Sequence, residues 1–222
     1  MSTAPSAGAL LMIAALALIP LLLMAGTSFV KASVVLSILR NALGAQGVLS
    51  GTAIVALSAL LTAYVMAPVA QDALRAAAAP LAALDLDAPV AGLERTRLLE
   101  ALSLAQEPLR AFLERNAGGP ERQLFVELGQ RRAGPDRPSA GERDLLVVLP
   151  AFLITELKEA LQIGLLLLLP FLVVDLVLSS LLAALGMTSL QPTTVALPLK
   201  LLLFLSVDGF AALSRALVTG YS

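Results

Sequence analysis

The chain has no histidine, no cysteine and no tryptophan among its 222 residues, and aromatic side chains of any kind make up only 4% of it. The missing cysteine excludes a disulfide framework, an iron–sulfur cluster and a thiolate zinc site. The missing histidine removes the commonest general base and the commonest neutral metal ligand. No Gly-x-x-x-x-Gly-Lys cradle for a nucleotide phosphate occurs either. A net charge of −1 offers no excess of basic residues of the kind that marks nucleic-acid recognition. Metalloenzyme, triad hydrolase and nucleic-acid binder are all disfavoured, and no catalytic residue, cofactor or metal is expected.

What is present is largely apolar. Hydrophobic residues make up 58% of the chain and charged ones 14%, against about 45–50% and about 25% in soluble domains. A water-soluble monomer does not fit these figures. The charge is also unevenly spread: residues 72–144 hold 22 charged side chains, 10 Arg and 12 Asp or Glu, and the other 149 positions hold 9. The chain reads as two apolar ends around a polar middle, with expected boundaries at 1–71, 72–144 and 145–222. No repeat of 20–50 residues suggests a solenoid.

Residues 1–30 are uncharged, and 7–30 as one helix would measure about 36 Å, enough to cross a hydrocarbon core of about 30 Å. No basic region precedes this run, so it is expected to be a retained span rather than a cleaved signal peptide. Pro20 is expected to kink or split it. Asn41, Gly44, Gln46, Gly47, Ser50 and Gly51 then predict a turn, and 52–70 a second apolar helix, which together make a hairpin. Lys31 and Arg40 at that bend favour its cytoplasmic placement and put the polar middle outside.

In the middle segment the periodicity predicts a helix over 93–115, with Leu98, Leu102, Leu109, Phe112 and Leu113 on one stripe. Gly, Pro and charge over 116–143 suggest irregular connection around an apolar patch at 124–128. The run 145–185 is too long for one perpendicular span, and Pro170 is expected to break or kink it. A turn over 186–192 and a last apolar helix over 193–217 complete a second hairpin.

Ionisable residues inside apolar helices are costly and mark pairing sites or aqueous pathways. Here they are Lys31, Arg40, Glu156, Lys158, Glu159, Asp175, Lys200, Asp208 and Arg215. Lys200 and Asp208 lie about 12 Å apart along a helix and Asp208 and Arg215 about 10.5 Å, so their partners must lie on other helices or other chains. Glu156 and Glu159 share a face, a like-charge arrangement that needs a cation or water to meet it. They fit an ion-pair network, a conduit lined by carboxylates, or a helix end near the headgroups. Asp175 and Asp208 admit proton relay as an alternative to pairing.

Three stretches carry a resemblance. Gly26-Thr27-Ser28-Phe29-Val30-Lys31 running into Leu39-Arg40-Asn41-Ala42-Leu43-Gly44 is the first. Leu149-Pro150-Ala151-Phe152-Leu153-Ile154-Thr155-Glu156-Leu157-Lys158, Gln162-Ile163-Gly164 and Pro170-Phe171-Leu172-Val173-Val174-Asp175 form the second. Leu185-Gly186-Met187, Ala196-Leu197-Pro198-Leu199-Lys200 and Val207-Asp208-Gly209 form the third. In this order they resemble the SctR/FliP family, export-gate proteins of bacterial type III secretion.

The resemblance implies an all-α chain of membrane-type helical hairpins with a small charged insert on the periplasmic side. It implies assembly into a homo-oligomer, a pentamer in the family, with SctS and SctT and with SctU and SctV nearby. The cone so formed lies in the bacterial inner membrane, protrudes toward the periplasm and passes unfolded proteins through its channel. By the same resemblance Gly186, Met187, Thr188, Ser189 and Leu190 form the gate loop. Family members often carry several Met there, and only Met187 remains. Lys31, Arg40, Glu156, Lys158, Glu159, Asp175, Lys200 and Asp208 are the candidates for pairing between subunits. The injectisome branch is favoured over the flagellar one; a proton-coupled small-solute transporter is the alternative of another class.

Overall fold

The computed structural model describes residues 24–45, 49–82, 93–132, 141–187 and 189–221. Among them every regular element is an α-helix: α1 (Phe29–Leu43), α2 (Gly51–Ala82), α3 (Leu93–Asn116), α4 (Gly119–Arg132), α5 (Leu145–Ala184), α6 (Pro192–Ser206) and α7 (Gly209–Thr219). Two compact units divide them. One takes the described parts of Met1–Ser28 and Asp72–Leu153, the other those of Phe29–Gln71 and Ile154–Ser222.

In the second unit α1 supplies the core. Ala32, Val35, Leu36, Leu39, Ala42 and Leu43 are buried at helical spacing and meet Ala160, Phe171, Phe204, Leu213 and Leu217. Gly164 allows α5 to approach α1 closely. A β-carbon added there would run into the side chain of Ile38, reaching its Cγ2 at 3.1 Å. In the first unit Phe112 and Phe152 meet edge to face at 5.7 Å between ring centres. Phe112 and Leu113 are buried as the α3 stripe predicts, but Leu102 is 64% exposed and Ala101 is buried in its place.

α2 and α5 are long and apolar enough to cross a membrane, and the bent pair α6–α7 passes the same test as one broken span. Only 6% of the most apolar stretch of α5 is buried within the chain, so lipid or other protein must cover the rest. Several hydroxyls on these helices satisfy themselves locally. Thr62, Ser180 and Ser206, and Ser37 on α1, each donate to the carbonyl four residues back, at 2.6–2.9 Å, which suits an apolar medium, whereas the buried hydroxyl of Ser58 on α2 finds no hydrogen-bond partner among the described residues.

Several sequence expectations are corrected. Of the break or kink expected at Pro170, the break does not occur, and α5 runs on through it; a proline removes one hydrogen bond, and the many remaining along 40 residues keep the helix continuous. Residues 119–132, expected to be irregular, form α4, where Pro120 pre-sets the first turn and Glu121 complements its N-terminus. α2 continues past 70 to Ala82. The expected span over 7–30 falls mostly outside the described residues, and a turn over 26–28 separates it from α1. The last apolar segment is two helices bent by 62°, because Asp208 adopts the left-handed conformation at φ 49°.

Candidate functional site: buried ion pairs and a glycine-capped turn

Three charges of the apolar segments, Lys31, Glu156 and Lys200, sit on buried stripes. Phe152, Glu156 and Ala160 follow one another at four-residue spacing, and so do Ala196, Lys200 and Phe204; all six are buried. Lys31 occupies the buried face of α1 and is 1% exposed. A charge so placed requires a partner, since an isolated ion in a low-dielectric interior is heavily penalised.

Two clusters meet that requirement. Lys31 Nζ lies 3.1 Å from Glu156 Oε1 and 2.6 Å from Glu159 Oε2, so the like-charged pair on α5 is bridged by the cation of α1. The Lys31 ammonium also stands 4.1 Å from the ring centre of Tyr221, whose hydroxyl hydrogen-bonds Glu156 Oε2. Burial first, then the Glu156 carboxylate, push the Tyr221 phenol well above its ordinary range.

In the second cluster Lys200 Nζ donates to Asp175 Oδ2 at 2.6 Å and to the carbonyl of Ala42 at 2.9 Å. That carbonyl lies in the last turn of α1. Its neighbours on Arg40 and Asn41 accept from the amides of Ala45 and Gly44, and the lysine satisfies the next one while placing a cation at the negative end of the helix.

The remaining candidates are Arg40, Lys158 and Asp208. Arg40 is half-buried, and its Nε finds no hydrogen-bond partner among the described residues. Lys158 is exposed. Asp208 is exposed at the bend between α6 and α7, where its side chain makes no capping bond. Tyr221 was not among the sequence candidates, although Leu213, Leu217 and Tyr221 continue the inward stripe of α7 at four-residue spacing.

The turn after α5 is fixed by its backbone. Gly186 stands at φ 71°; its amide bonds the carbonyl of Ala183 at 3.1 Å, and that of Met187 bonds Leu182 at 2.9 Å. This is a Schellman cap, in which a side chain at the glycine position would be strained. Leu185, Met187 and Leu190 project from the turn with 70%, 46% and 47% of their surface exposed. Ser189 is exposed as well, and Thr188 lies outside the described residues.

The sequence profile of the FliP family matches residues 12–217. The chain belongs to the FliP family. Among its relatives, the Hypersensitivity response secretion protein HrcR of Ralstonia nicotianae is 38% identical over 216 residues, 97% of each chain. The Yop proteins translocation protein R of Yersinia pestis is 38% identical over 216 residues, 96% of this chain and 94% of that one. The Flagellar biosynthetic protein FliP of Caulobacter vibrioides is 38% identical over 206 residues, 93% of this chain and 73% of that one. Lys31, Glu156, Glu159, the Lys200–Asp175 pair and the glycine-capped turn fall inside the matched region, and Tyr221 lies four residues beyond it.

Proposed function

We propose that this chain is a core structural subunit of a type III protein-secretion export gate, without enzymatic activity, through which unfolded proteins cross the bacterial inner membrane. The observation that carries the reading is near full-length similarity to relatives named for secretion and translocation. The geometry agrees with it. Lys31, Glu156, Glu159, Asp175 and Lys200 meet one another inside the chain, while the long apolar faces of α2 and α5 stay uncovered, as suits a subunit that packs among other helices.

In this reading copies of the chain form a ring, pentameric in the resemblance, with SctS- and SctT-like partners and with SctU and SctV alongside, and the assembly rises on the periplasmic side. The turn over 186–190 projects Met187 and Leu190 into the channel as its gate. Methionine suits that position because its unbranched thioether repacks around an irregular opening. Arg40 and Asp208, which the two clusters do not use, are proposed together with Lys158 to meet neighbouring subunits. A flagellar role is the second reading, on the similarity to the Caulobacter protein.

The test is co-expression with SctS and SctT partners and imaging of the detergent-extracted complex. A ring that contains several copies of this chain is expected. A lone monomer that drives substrate-dependent uptake into vesicles would establish the transporter instead. Restoration of secretion in an injectisome mutant, against restoration of motility in a flagellar one, separates the two branches.

A further inference from the structure

Counting charges around Lys31 leaves an acceptor over. The cluster holds one cation and two carboxylates, and Lys31 takes Oε1 of Glu156 and Oε2 of Glu159. Glu159 is part-exposed and can share its charge with water, but Glu156 is 1% exposed. Its second oxygen, Oε2, would be a buried acceptor without a donor, an arrangement that is costly next to a charge. Tyr221 supplies that donor. Its ring meanwhile covers Lys31 Nζ, and a β-carbon at the adjacent Gly220 would come within 3.6 Å of the same atom. The charged groups that face Tyr221 are therefore Lys31 from α1 and Glu156 and Glu159 from α5.

We propose that Tyr221 is a latch: its hydroxyl completes Glu156 and its ring covers Lys31, so that the residues just after α7 fasten it to α1 and α5. The three tied segments are far apart in sequence, 128 residues between Lys31 and Glu159 and 65 between Glu156 and Tyr221. Glu156 lies near the start of α5 and the Gly186 turn follows its end, roughly 42 Å away along the helix. The latch thus holds the base of the α5–α6–α7 hairpin and leaves the turn at its far end unfastened by it. Only this consequence for gating rests on the export-gate function; the latch itself is a property of the single chain.

The absence of cysteine and the presence of only two tyrosines make the test direct. In purified full-length Tyr64→Phe protein, Tyr221 is the sole phenol. Its tyrosinate absorbance is expected to be absent in the native state up to about pH 11.5 and to appear on unfolding. Ionisation at about pH 10 with the fold intact would overturn the proposal. Spin labels on Leu157→Cys and Arg215→Cys, both exposed positions, then report the separation of α5 and α7.

A distance distribution that is narrow in the parent, broader in Tyr221→Phe and broadest in Tyr221→Leu is expected, with melting temperature falling by roughly 3–10 °C in Tyr221→Phe. Unchanged distances and melting in Tyr221→Leu would overturn it. Should that variant not fold, the titration of the parent phenol still decides. No step depends on export activity, so failure of the proposed function would leave this outcome standing.

Discussion

Lys31 and Lys200 are two of the three lysines in the chain, and each reaches across to a carboxylate on α5. Removing one member of a buried pair strands the other. Lys31→Met is therefore expected to destabilise the purified protein by about 3–5 kcal/mol in denaturant unfolding, and Lys31→Met combined with Glu156→Gln to recover part of that loss. Additive losses in the double variant would show that the two side chains are not coupled. Tyr221 adds a pH dependence with a definite sign. Its native pKa is raised above the ordinary 10.0, so its contribution is complete below about pH 10 and is lost as pH rises further. The steepness of the alkaline stability loss is expected to diminish in Tyr221→Phe. That the charges needed partners was legible from their place on apolar helices. The stripe through Leu213 and Leu217 could have pointed to Tyr221, but an aromatic at helical spacing reads equally well as plain core.

Among the elements, α1 and α5 owe their close approach to Gly164. Gly164→Val is expected to cost about 1–3 kcal/mol through overpacking against Ile38, and Ile38→Ala to relieve it; a calorimetric melt of the single and double variants is the check. The turn after α5 depends on conformation rather than space, because nothing lies within 4 Å of the missing β-carbon of Gly186. Gly186→Ala is expected to cost about 1–2 kcal/mol, and Gly186→Asn less, since Asn tolerates the left-handed region. Equal stability of the three proteins in thermal melts would contradict the cap. Helix periodicity made α3 legible almost to its ends. It missed α4 because Gly, Pro and charge also describe a helix start with its capping turn. A break at Pro170 does not occur because one lost hydrogen bond is small within so long a helix.

At the scale of the whole molecule, a chain whose buried charges are neutralised internally and whose long apolar faces are left open is built to be surrounded. If the turn over 186–190 gates a channel, Met187→Asp in the assembled complex is expected to raise ion conductance across a bilayer, and an unchanged leak would remove Met187 from the gate. The sequence by itself determined that the protein is all-helical and membrane-type, and which family it belongs to, because hydrophobic period, charge-free length and local motifs are read within a few turns of chain. Only the tertiary structure decided which charge meets which. The partners lie 128 residues apart for Lys31 and Glu159, 158 for Lys200 and the Ala42 carbonyl, and 65 for Tyr221 and Glu156. Local periodicity can require that a buried charge be met, but the group that meets it is set by how helices from both ends of the chain pack together.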